Sequence, residues 1–284
     1  MSEAGAFGLD DEALATRATV YAPDAYTGKV ALVSGGGGGI GRAVSWLLAR
    51  LGAHVVVAGR DPTKLDGLIE AMSKRGLSAS RQTVDIREQE QVAALYDRVW
   101  SDHERLDLVI NSAGGQFPQA AIEFSAKGWN AVINTNLNGT WHMMQAAARR
   151  WRDAKSPGSI VNIVVVTTHG LYGVAHTIAA RSAVIGLSRA VAVEWAAFGV
   201  RVNCIAPGSI ETEGWKVYSP AARAAYPRSN PMMRVGSAWD IAEACAYLAG
   251  PAASYVTGET LTVDGGSQLW GETWTIPKPD YFRS

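Results

Sequence analysis

A cluster of glycines near the start of the chain has the spacing of a phosphate-binding turn. The segment Ser34 to Gly41 reads SGGGGGIG and lies between an apolar run, which predicts a strand, and a helical pattern. In such a turn, backbone N–H groups and the N-terminus of the following helix meet a negatively charged pyrophosphate. A glycine cluster alone is equally compatible with a flexible turn, but the flanking strand and helix favour dinucleotide binding. The expected contact residues are Gly35, Gly39, Ile40 and Gly41.

The end of the second predicted strand indicates which dinucleotide binds. An acidic residue at this place usually holds a free ribose 2′-hydroxyl, whereas Gly59 and Arg60 occupy it here. A guanidinium suits a 2′-phosphate because it donates two parallel hydrogen bonds. We therefore expect NADP(H), with Arg60 on the 2′-phosphate and Arg42 as a second charge near the glycine turn. The alternative is that Arg60 is a solvated loop residue or stacks on the adenine.

Apolar β-branched runs alternate with longer helical patterns from Lys29 onward, which is typical of repeated βαβ units. The pattern predicts a single α/β domain with a doubly wound (Rossmann) sheet of seven parallel strands and helices on both faces. The expected strands are Val30–Val33, His54–Ala58, Gln82–Val84, Leu106–Ile110, Ser159–Val166, Arg201–Ile205 and Thr260–Val263. The expected helices are Arg42–Arg50, Pro62–Lys74, Gln89–Trp100, Lys127–Trp151, Thr177–Phe198 and Ala238–Ala249. The expected divisions are an N-terminal extension (1–25), the domain (26–266) with a partly helical lid (209–236), and a C-terminal tail (267–284).

The charge balance argues against nucleic acid and membrane partners. The chain has 284 residues with 26 basic and 26 acidic side chains, so no net field attracts it to an anionic polymer or bilayer. The sequence contains no apolar run long enough to span a membrane, and its first residues do not resemble a signal peptide. Its two cysteines, Cys204 and Cys245, are far apart and predict neither a disulfide nor a metal site. We expect a cytoplasmic protein that acts on a small molecule.

Three later motifs follow the glycine turn in order. They are NSAGG at Asn111–Gly115, PGSIET at Pro207–Thr212 and TGETLTVDGG at Thr257–Gly266. With the glycine turn they resemble the short-chain dehydrogenase/reductase family over nearly the whole chain. The resemblance implies a homotetramer, with the helices at 127–151 and 177–198 as contact faces. It also implies further cofactor-binding residues, namely Asp85, Ile86, Asn111, Ala113, Gly114, Pro207, Gly208, Ile210 and Thr212. Asp85 is equally suited to cap the following helix, and Gly114 to serve only a turn.

The catalytic positions depart from the family pattern. Most members place a tyrosine four residues before a lysine, so that the ammonium lowers the pKa of the phenol for proton transfer. The segment AARSAVIGL aligns with the helix that carries this pair, which puts Thr177 at the tyrosine and Arg181 at the lysine. The family's serine falls within Val164–Val166. A threonine hydroxyl is too weak an acid to replace the phenol, although Arg181 can still hold the nicotinamide ribose.

The departure itself resembles one branch of the family. The segments GGQFP, TNLNGT, GSIVNI and HTIAARSAV are similar to trans-2-enoyl-CoA and 2,4-dienoyl-CoA reductases and to citronellol/citronellal dehydrogenase-like proteins. Reduction of an enoyl thioester needs hydrogen bonds to an enolate oxygen, while water can protonate the α-carbon. The leading hypothesis is therefore an NADPH-dependent reductase of an enoyl thioester, with an acyl-CoA as substrate. The expected catalytic residues are Asn136, Thr177, Arg181, Tyr172 and His176, with Asn136 and Thr177 ranked highest.

Two other functions fit the same residues. An NADP-dependent alcohol or aldehyde dehydrogenase for a terpenoid keeps the cofactor but needs a proton donor that the sequence does not supply. A non-catalytic NADP(H)-binding protein is the other alternative, because all three chemical positions have changed. His176 is equally compatible with packing, and Tyr172 with lining the pocket. For the leading function, residues 115–117 and the lid are expected to shape the acyl pocket.

Overall fold

The structure, a computed structural model, describes residues 7–271, 275 and 277–282. Residues 1–6 of the predicted extension, and 272–274, 276, 283 and 284 of the predicted tail, lie outside the described residues. The strands are β1 (Val30–Ser34), β2 (His54–Gly59), β3 (Ala79–Thr83), β4 (Leu108–Asn111), β5 (Gly158–Ile163), β6 (Val200–Pro207), β7 (Ile210–Glu211), β8 (Gly236–Ser237) and β9 (Thr260–Val263).

Seven of these strands form one parallel sheet in the order β3-β2-β1-β4-β5-β6-β9, and β7 pairs with β8 outside it. The predicted doubly wound, seven-stranded sheet is therefore confirmed. The strand order turns back between β1 and β4. The loops that follow these two strands leave the sheet at the same edge and border a crevice, which is where ligands bind in open α/β sheets.

Helices cover both faces of the sheet. They are α1 (Asp11–Thr16), α2 (Gly39–Arg50), α3 (Pro62–Ser73), α4 (Gln89–His103), α5 (Ala126–Ile133), α6 (Thr140–Ala154), α7 (Ala175–Trp195), α8 (Pro220–Ala225) and α9 (Ala238–Ala249). Apolar side chains of α2, α3 and α9 are buried on one face, and those of α4, α6 and α7 on the other. None of the helices described here is long and apolar enough to cross a bilayer.

The strand boundaries that differ most from the prediction are those of β3 and β5. β3 occupies Ala79–Thr83 rather than Gln82–Val84. β3 lies at the edge of the sheet, where polar side chains are tolerated, and the apolar signal came from Val84, which is buried just beyond the strand. β5 ends at Ile163 rather than Val166, because its pairing with β6 ends there.

The prediction of one uninterrupted helix over Lys127–Trp151 is wrong. A single π-helical turn, Asn134–Gly139, separates α5 from α6. Ile86 packs closely against this turn, since a Cβ on Gly139 would lie 2.7 Å from Cγ1 of Ile86. Isolated π-helical turns within helices are frequent at functional sites. This one carries Asn136, a predicted catalytic residue.

The N-terminal extension is packed onto the domain through α1. Leu14 is buried, and Asp11 accepts a hydrogen bond from Nε1 of Trp46 in α2 at 2.8 Å. Nε1 of Trp239 in α9 donates to the carbonyl oxygen of Ala18 at 3.1 Å. The extension therefore joins the two helices that lie on the same face of the sheet.

The segment 209–236 is partly helical, as predicted. It contains α8 between two 3₁₀ turns, Glu213–Val217 and Tyr226–Ser229. The ring of the buried Trp215 lies edge-on to that of Tyr226, with the ring centroids 5.1 Å apart. Aromatic packing of this kind gives the segment an apolar interior of its own.

The C-terminus of α9 depends on one side chain from the neighbouring strand β6. The guanidinium of Arg201 donates to four backbone carbonyl oxygens, at 2.9 to 3.2 Å. The acceptors are Leu248, Ala249, Gly250 and Val256. The last carbonyls of a helix have no partner within the helix, so Arg201 supplies the missing donors.

We expect Arg201→Met to lower the free energy of unfolding by about 2–4 kcal/mol, because it removes four hydrogen bonds to backbone carbonyls, including the one described donor to Ala249, while keeping the apolar stem. Urea unfolding followed by circular dichroism measures the change. The matched control is Arg98→Met on the exposed side of α4, for which we expect a change within about 0.5 kcal/mol. Equal unfolding midpoints for the two variants would show that Arg201 does not stabilise the fold.

Candidate active site

The predicted glycine turn lies between β1 and α2 and is packed too tightly for side chains at two of its positions. A Cβ on Gly35, whose φ is +69°, would lie 2.6 Å from the backbone nitrogen of Ala113, and a Cβ on Gly41 would overlap the carbonyl oxygen of Gly35. Gly38, at the N-cap of α2, instead faces open space. The first N–H groups of α2 are thus accessible at the positive end of its dipole, which is the arrangement that binds a pyrophosphate.

The segment after β6 lies alongside this turn, as the prediction requires. Thr212 faces Gly39, since a Cβ on that glycine would lie 3.6 Å from Cβ of Thr212. Gly208 approaches β9 so closely that its own Cβ would lie 2.7 Å from Cα of Asp264. Pro207 and Ile210 flank this close approach, and Ile210 is buried. The structure therefore brings Thr212, at the end of the predicted segment, next to Gly39 of the glycine turn.

A second arginine, Arg87, lies at the adenine end of the predicted site, where the sequence motifs did not indicate it. Asp85, which follows β3, accepts hydrogen bonds from the backbone N–H of Arg87 at 3.1 Å and from its Nε at 2.9 Å. These bonds hold the pKa of the Asp85 carboxyl below its usual range, and the charge of Arg60 contributes in the same direction. Asp85 therefore bonds to the turn before α4 and does not cap that helix, whose N-cap is Glu88. Arg60, which is exposed, and Arg87 both lie near this carboxylate.

Arg42, predicted as a second charge for the cofactor phosphate, has a protein partner instead. Its Nε donates to Asp11 in the N-terminal extension at 2.9 Å, and a second nitrogen of the guanidinium contacts the same carboxylate. Glu213 lies 3.9 Å away on the other side. Two carboxylates offset the charge of Arg42, so the structure does not support the phosphate-binding role.

The loop after β4 contacts the predicted catalytic residues at successive positions. Nη2 of Arg181 donates to the carbonyl oxygen of Ala113 at 3.3 Å. A Cβ on Gly114 would overlap this same nitrogen. At Gly115, the amide of Asn136 accepts from the backbone N–H and donates to the carbonyl oxygen, both at 3.0 Å. The loop thus brings Arg181 and Asn136 together, as predicted from sequence.

Asn111 ties the base of this loop to the sheet. Its Nδ2 donates to Oδ1 of Asn162 at 2.8 Å, and Asn162 donates in turn to Oγ of Ser188 at 2.9 Å. All three side chains are buried. Because Ser188 lies on α7, the chain of hydrogen bonds holds the helix that carries Arg181 against β4 and β5.

Arg181 is a buried cation with an unused donor. Its side chain lies in the interior, and burial lowers its pKa to about 10, so it remains charged at neutral pH. Among the described residues, Nη1 has no hydrogen-bond partner. A buried guanidinium with an unpaired N–H is costly in a protein interior, and a hydroxyl group of a bound ligand would satisfy it. Arg181 therefore suits the predicted role of holding a ribose.

Thr177 and His176 form a pair one turn before Arg181 on α7. Nδ1 of His176 accepts from the backbone N–H of Thr177 at 2.7 Å and lies 3.3 Å from its hydroxyl. The imidazole stacks on Phe124, with centroids 4.4 Å apart, and meets Phe117 edge-on. Burial lowers the pKa of His176, so the ring is neutral at pH 7. The histidine thus packs between two aromatic rings, which is the alternative considered for it.

Tyr172 does not belong to the site. Its side chain is 99% exposed, whereas Asn136, Thr177 and Arg181 are all buried. The structure therefore does not bring Tyr172 together with these three residues.

A different tyrosine reaches the site from the lid. Nε2 of Gln116 donates to the phenol oxygen of Tyr218. Tyr226 packs edge-on against Tyr218, with ring centroids 5.7 Å apart. Burial raises the pKa of Tyr218, and the hydrogen bond from Gln116 opposes the shift only in part. Tyr218 was missed from sequence, where the only signal was the abundance of aromatic residues in the lid.

Comparison with known proteins agrees with this geometry. A family model described as enoyl-(acyl carrier protein) reductase matches residues 35–268. The chain is 38% identical over 247 residues to a protein of Bacillus subtilis named probable 2,4-dienoyl-CoA reductase, covering 85% of this chain and 97% of the relative. It is 33% identical over 240 residues to a 3-oxoacyl-(acyl-carrier-protein) reductase of Chlamydia trachomatis, covering 84% and 96% of the two chains.

A solved structure of the citronellol catabolism dehydrogenase of Pseudomonas aeruginosa PAO1 superposes with a TM-score of 0.79 at 35% identity, over 88% of this chain and 99% of the other. The family model covers the glycine turn, the loop after β4 and the lid, and the relatives match along nearly their whole length. The chain therefore belongs to the short-chain dehydrogenase/reductase family of oxidoreductases, which use nicotinamide cofactors.

Proposed function

We propose that the protein is an NADPH-dependent reductase of an α,β-unsaturated thioester, with an enoyl-CoA as substrate. The observation that carries the proposal is the buried pair Thr177 and Arg181 at the positions of the family's tyrosine and lysine. The pair keeps a cation for the ribose but has no phenol for proton transfer to a carbonyl oxygen. Enoyl reduction is the reaction of this family that does not need that proton transfer.

Individual residues of the chain have separate roles in this proposed reaction. When bound, the dihydronicotinamide supplies a hydride to the β-carbon, and a proton from water at the α-carbon completes reduction of the carbon–carbon double bond. As the hydride arrives, negative charge develops on the thioester oxygen, and hydrogen-bond donors placed there lower the barrier. Arg181 holds the ribose, and Asn136 shapes the loop at Gly115 that borders the acyl group.

Preference for NADPH is supported by the charges at the adenine end. Gly59 occupies the place where an acidic residue would accept from a free 2′-hydroxyl. The exposed Arg60 follows it, and Arg87 lies at the end of the neighbouring strand. The guanidinium of Arg60 can donate two parallel hydrogen bonds to a 2′-phosphate.

Oxidation of a terpenoid alcohol or aldehyde is a second candidate function. The likeness to the citronellol catabolism dehydrogenase, over 88% of this chain, favours it. The same cofactor site would serve, but carbonyl chemistry requires a proton donor that Thr177 does not provide. The two candidate functions therefore differ in their substrate and share the same cofactor.

We also propose a cytoplasmic homotetramer in which α6 and α7 form contact faces. Val193 of α7 is 80% exposed, and Trp141 of α6 stacks on Trp195 of α7 with the ring centroids 6.3 Å apart. Trp195 is itself buried in the chain, so the exposed Val193 is the observation that supports a contact face on α7.

We expect the purified protein to oxidise NADPH in the presence of crotonyl-, 2-hexenoyl- or 2-decenoyl-CoA, and to do so faster than it oxidises NADH. Citronellal and a simple ketone are the comparison substrates, and the loss of absorbance at 340 nm is the readout. Turnover of citronellal alone would favour the second function. Tight binding of NADPH without turnover of any substrate would contradict both and leave the non-catalytic alternative.

We expect Arg60→Ala to weaken NADPH binding by about ten- to a hundredfold, because it removes charge-assisted hydrogen bonds to the 2′-phosphate. NADH binding should stay within about twofold, since NADH lacks that phosphate. Fluorescence titration of both dinucleotides measures this, with Arg98→Ala as a control on an exposed helix face. An equal loss for both dinucleotides would mean that Arg60 contacts the adenine and not the phosphate.

We expect Arg181→Met to lower kcat/KM by about a hundredfold, because the nicotinamide ribose loses the cation that positions it. Arg181→Lys keeps the charge on a similar stem, so its loss should be smaller, about tenfold. Steady-state kinetics with NADPH and an enoyl-CoA, together with the Kd for NADPH, provide the comparison. If the two variants lose the same activity, the charge of Arg181 does not contribute to catalysis.

A further inference from the structure

We propose that Tyr218 donates a hydrogen bond to the carbonyl oxygen of the bound thioester, without transferring its proton. This inference rests on the proposed reduction of an enoyl thioester. It assigns a catalytic role to a lid residue that lies 41 positions beyond Thr177 in the sequence (218 minus 177).

Three nearby residues of the loop after β4 each contact one of the proposed catalytic groups. Ala113 contacts Arg181, Gly115 contacts Asn136, and Gln116 contacts Tyr218. Neighbouring Cα atoms in a chain lie about 3.8 Å apart. The contacts of Asn136 and Tyr218 are therefore made by adjacent residues of the loop, and a substrate held against this loop would lie near both side chains.

The direction of the hydrogen bond leaves the proton of the phenol available. In the contact with Gln116, the amide nitrogen is the donor and the phenol oxygen is the acceptor. A tyrosine has a single O–H donor in addition to its acceptor oxygen. Within the described residues, Tyr218 therefore uses its acceptor capacity on the protein and keeps its donor for a ligand.

The environment of the ring fits a donor that does not ionise. Burial raises the pKa of Tyr218 above its usual value, so the phenol stays protonated at neutral pH. Tyr226 packs edge-on against it, and Trp215 packs against Tyr226, which fixes the ring within the lid. A fixed, neutral donor stabilises developing charge on an oxygen without transferring its proton. The proton added at the α-carbon still comes from water, and Tyr218 ends the reaction as a phenol.

The other candidates are less suited to this role. The Asn136 amide holds Gly115 through its oxygen and one of its N–H groups. The hydroxyl of Thr177 lies 3.3 Å from Nδ1 of His176, a hydrogen-bond distance, and Tyr172 is exposed to solvent. The unpaired Nη1 of Arg181 is assigned to the ribose, so Tyr218 is a partly buried donor held at the loop that has no other assigned role.

The first test is Tyr218→Phe, which keeps the ring and removes the hydroxyl. We expect kcat for an enoyl-CoA to fall by about a hundredfold, the usual loss for one oxyanion donor. The Kd for NADPH and the thermal unfolding temperature should stay at wild-type values, which separates loss of the donor from damage to the fold. Tyr226→Phe is the matched control in the same lid, and we expect its kcat to remain within about twofold of wild type.

The second test is Gln116→Glu, which is nearly isosteric but replaces the amide donor with a carboxylate. The carboxylate would accept the phenol proton and withdraw it from the substrate, so kcat should fall about as far as in Tyr218→Phe. If the effect acts through Tyr218, adding Gln116→Glu to Tyr218→Phe should change kcat by no more than about twofold. A further large fall in the double variant would mean that the new charge acts on the substrate directly, and would count against the proposal.

The outcomes separate the two levels of inference. Wild-type turnover of an enoyl-CoA with at least half of kcat retained in Tyr218→Phe would overturn the role of Tyr218 and leave the proposed function intact. Absence of wild-type turnover would overturn the proposed function, and the role of Tyr218 with it.

Discussion

The site depends on the close approach of two loops at the point where the strand order of the sheet turns back. Gly35 follows β1 and lies against the backbone of Ala113, which follows β4, at a distance that excludes a side chain. This contact sets the glycine turn and the first turn of α2 on one side of the crevice. On the other side it sets residues 113–116, which contact the predicted catalytic groups. A larger residue at position 35 would push the two halves of the site apart.

The features that could be predicted from sequence are those encoded in a few neighbouring residues. The strands of the sheet interior are apolar because both of their faces are buried, and the glycine turn is recognisable between a strand and a helix. Arg181 and Asn136 were placed by resemblance, and the structure brings them to the same loop. The edge strand β3 was predicted a few residues too late in the sequence, because its polar residues show no periodic apolar pattern.

The features that could not be predicted depend on contacts between distant segments. No local pattern indicates that Asp11 pairs with Arg42 across the N-terminal extension, or that Arg87 turns back onto Asp85. The same holds for Tyr218, whose place is set by the path of the lid and by Gln116, 102 residues earlier. Tyr172 is the opposite case. Its position in the loop before α7 predicted a side chain in the active site, but the structure exposes that side chain to solvent. Charge and aromatic content locate a region in such cases, whereas tertiary packing decides which side chain enters the site.

The overlap between a Cβ at position 114 and the guanidinium of Arg181 couples these two positions. Alanine at position 114 would displace the end of the Arg181 side chain, because its Cβ would overlap Nη2. Oδ1 of Asn136 would lie 3.1 Å from the same Cβ, so a shorter side chain at position 181 would relieve only part of the crowding. The effects of substitutions at positions 114 and 181 should therefore be non-additive.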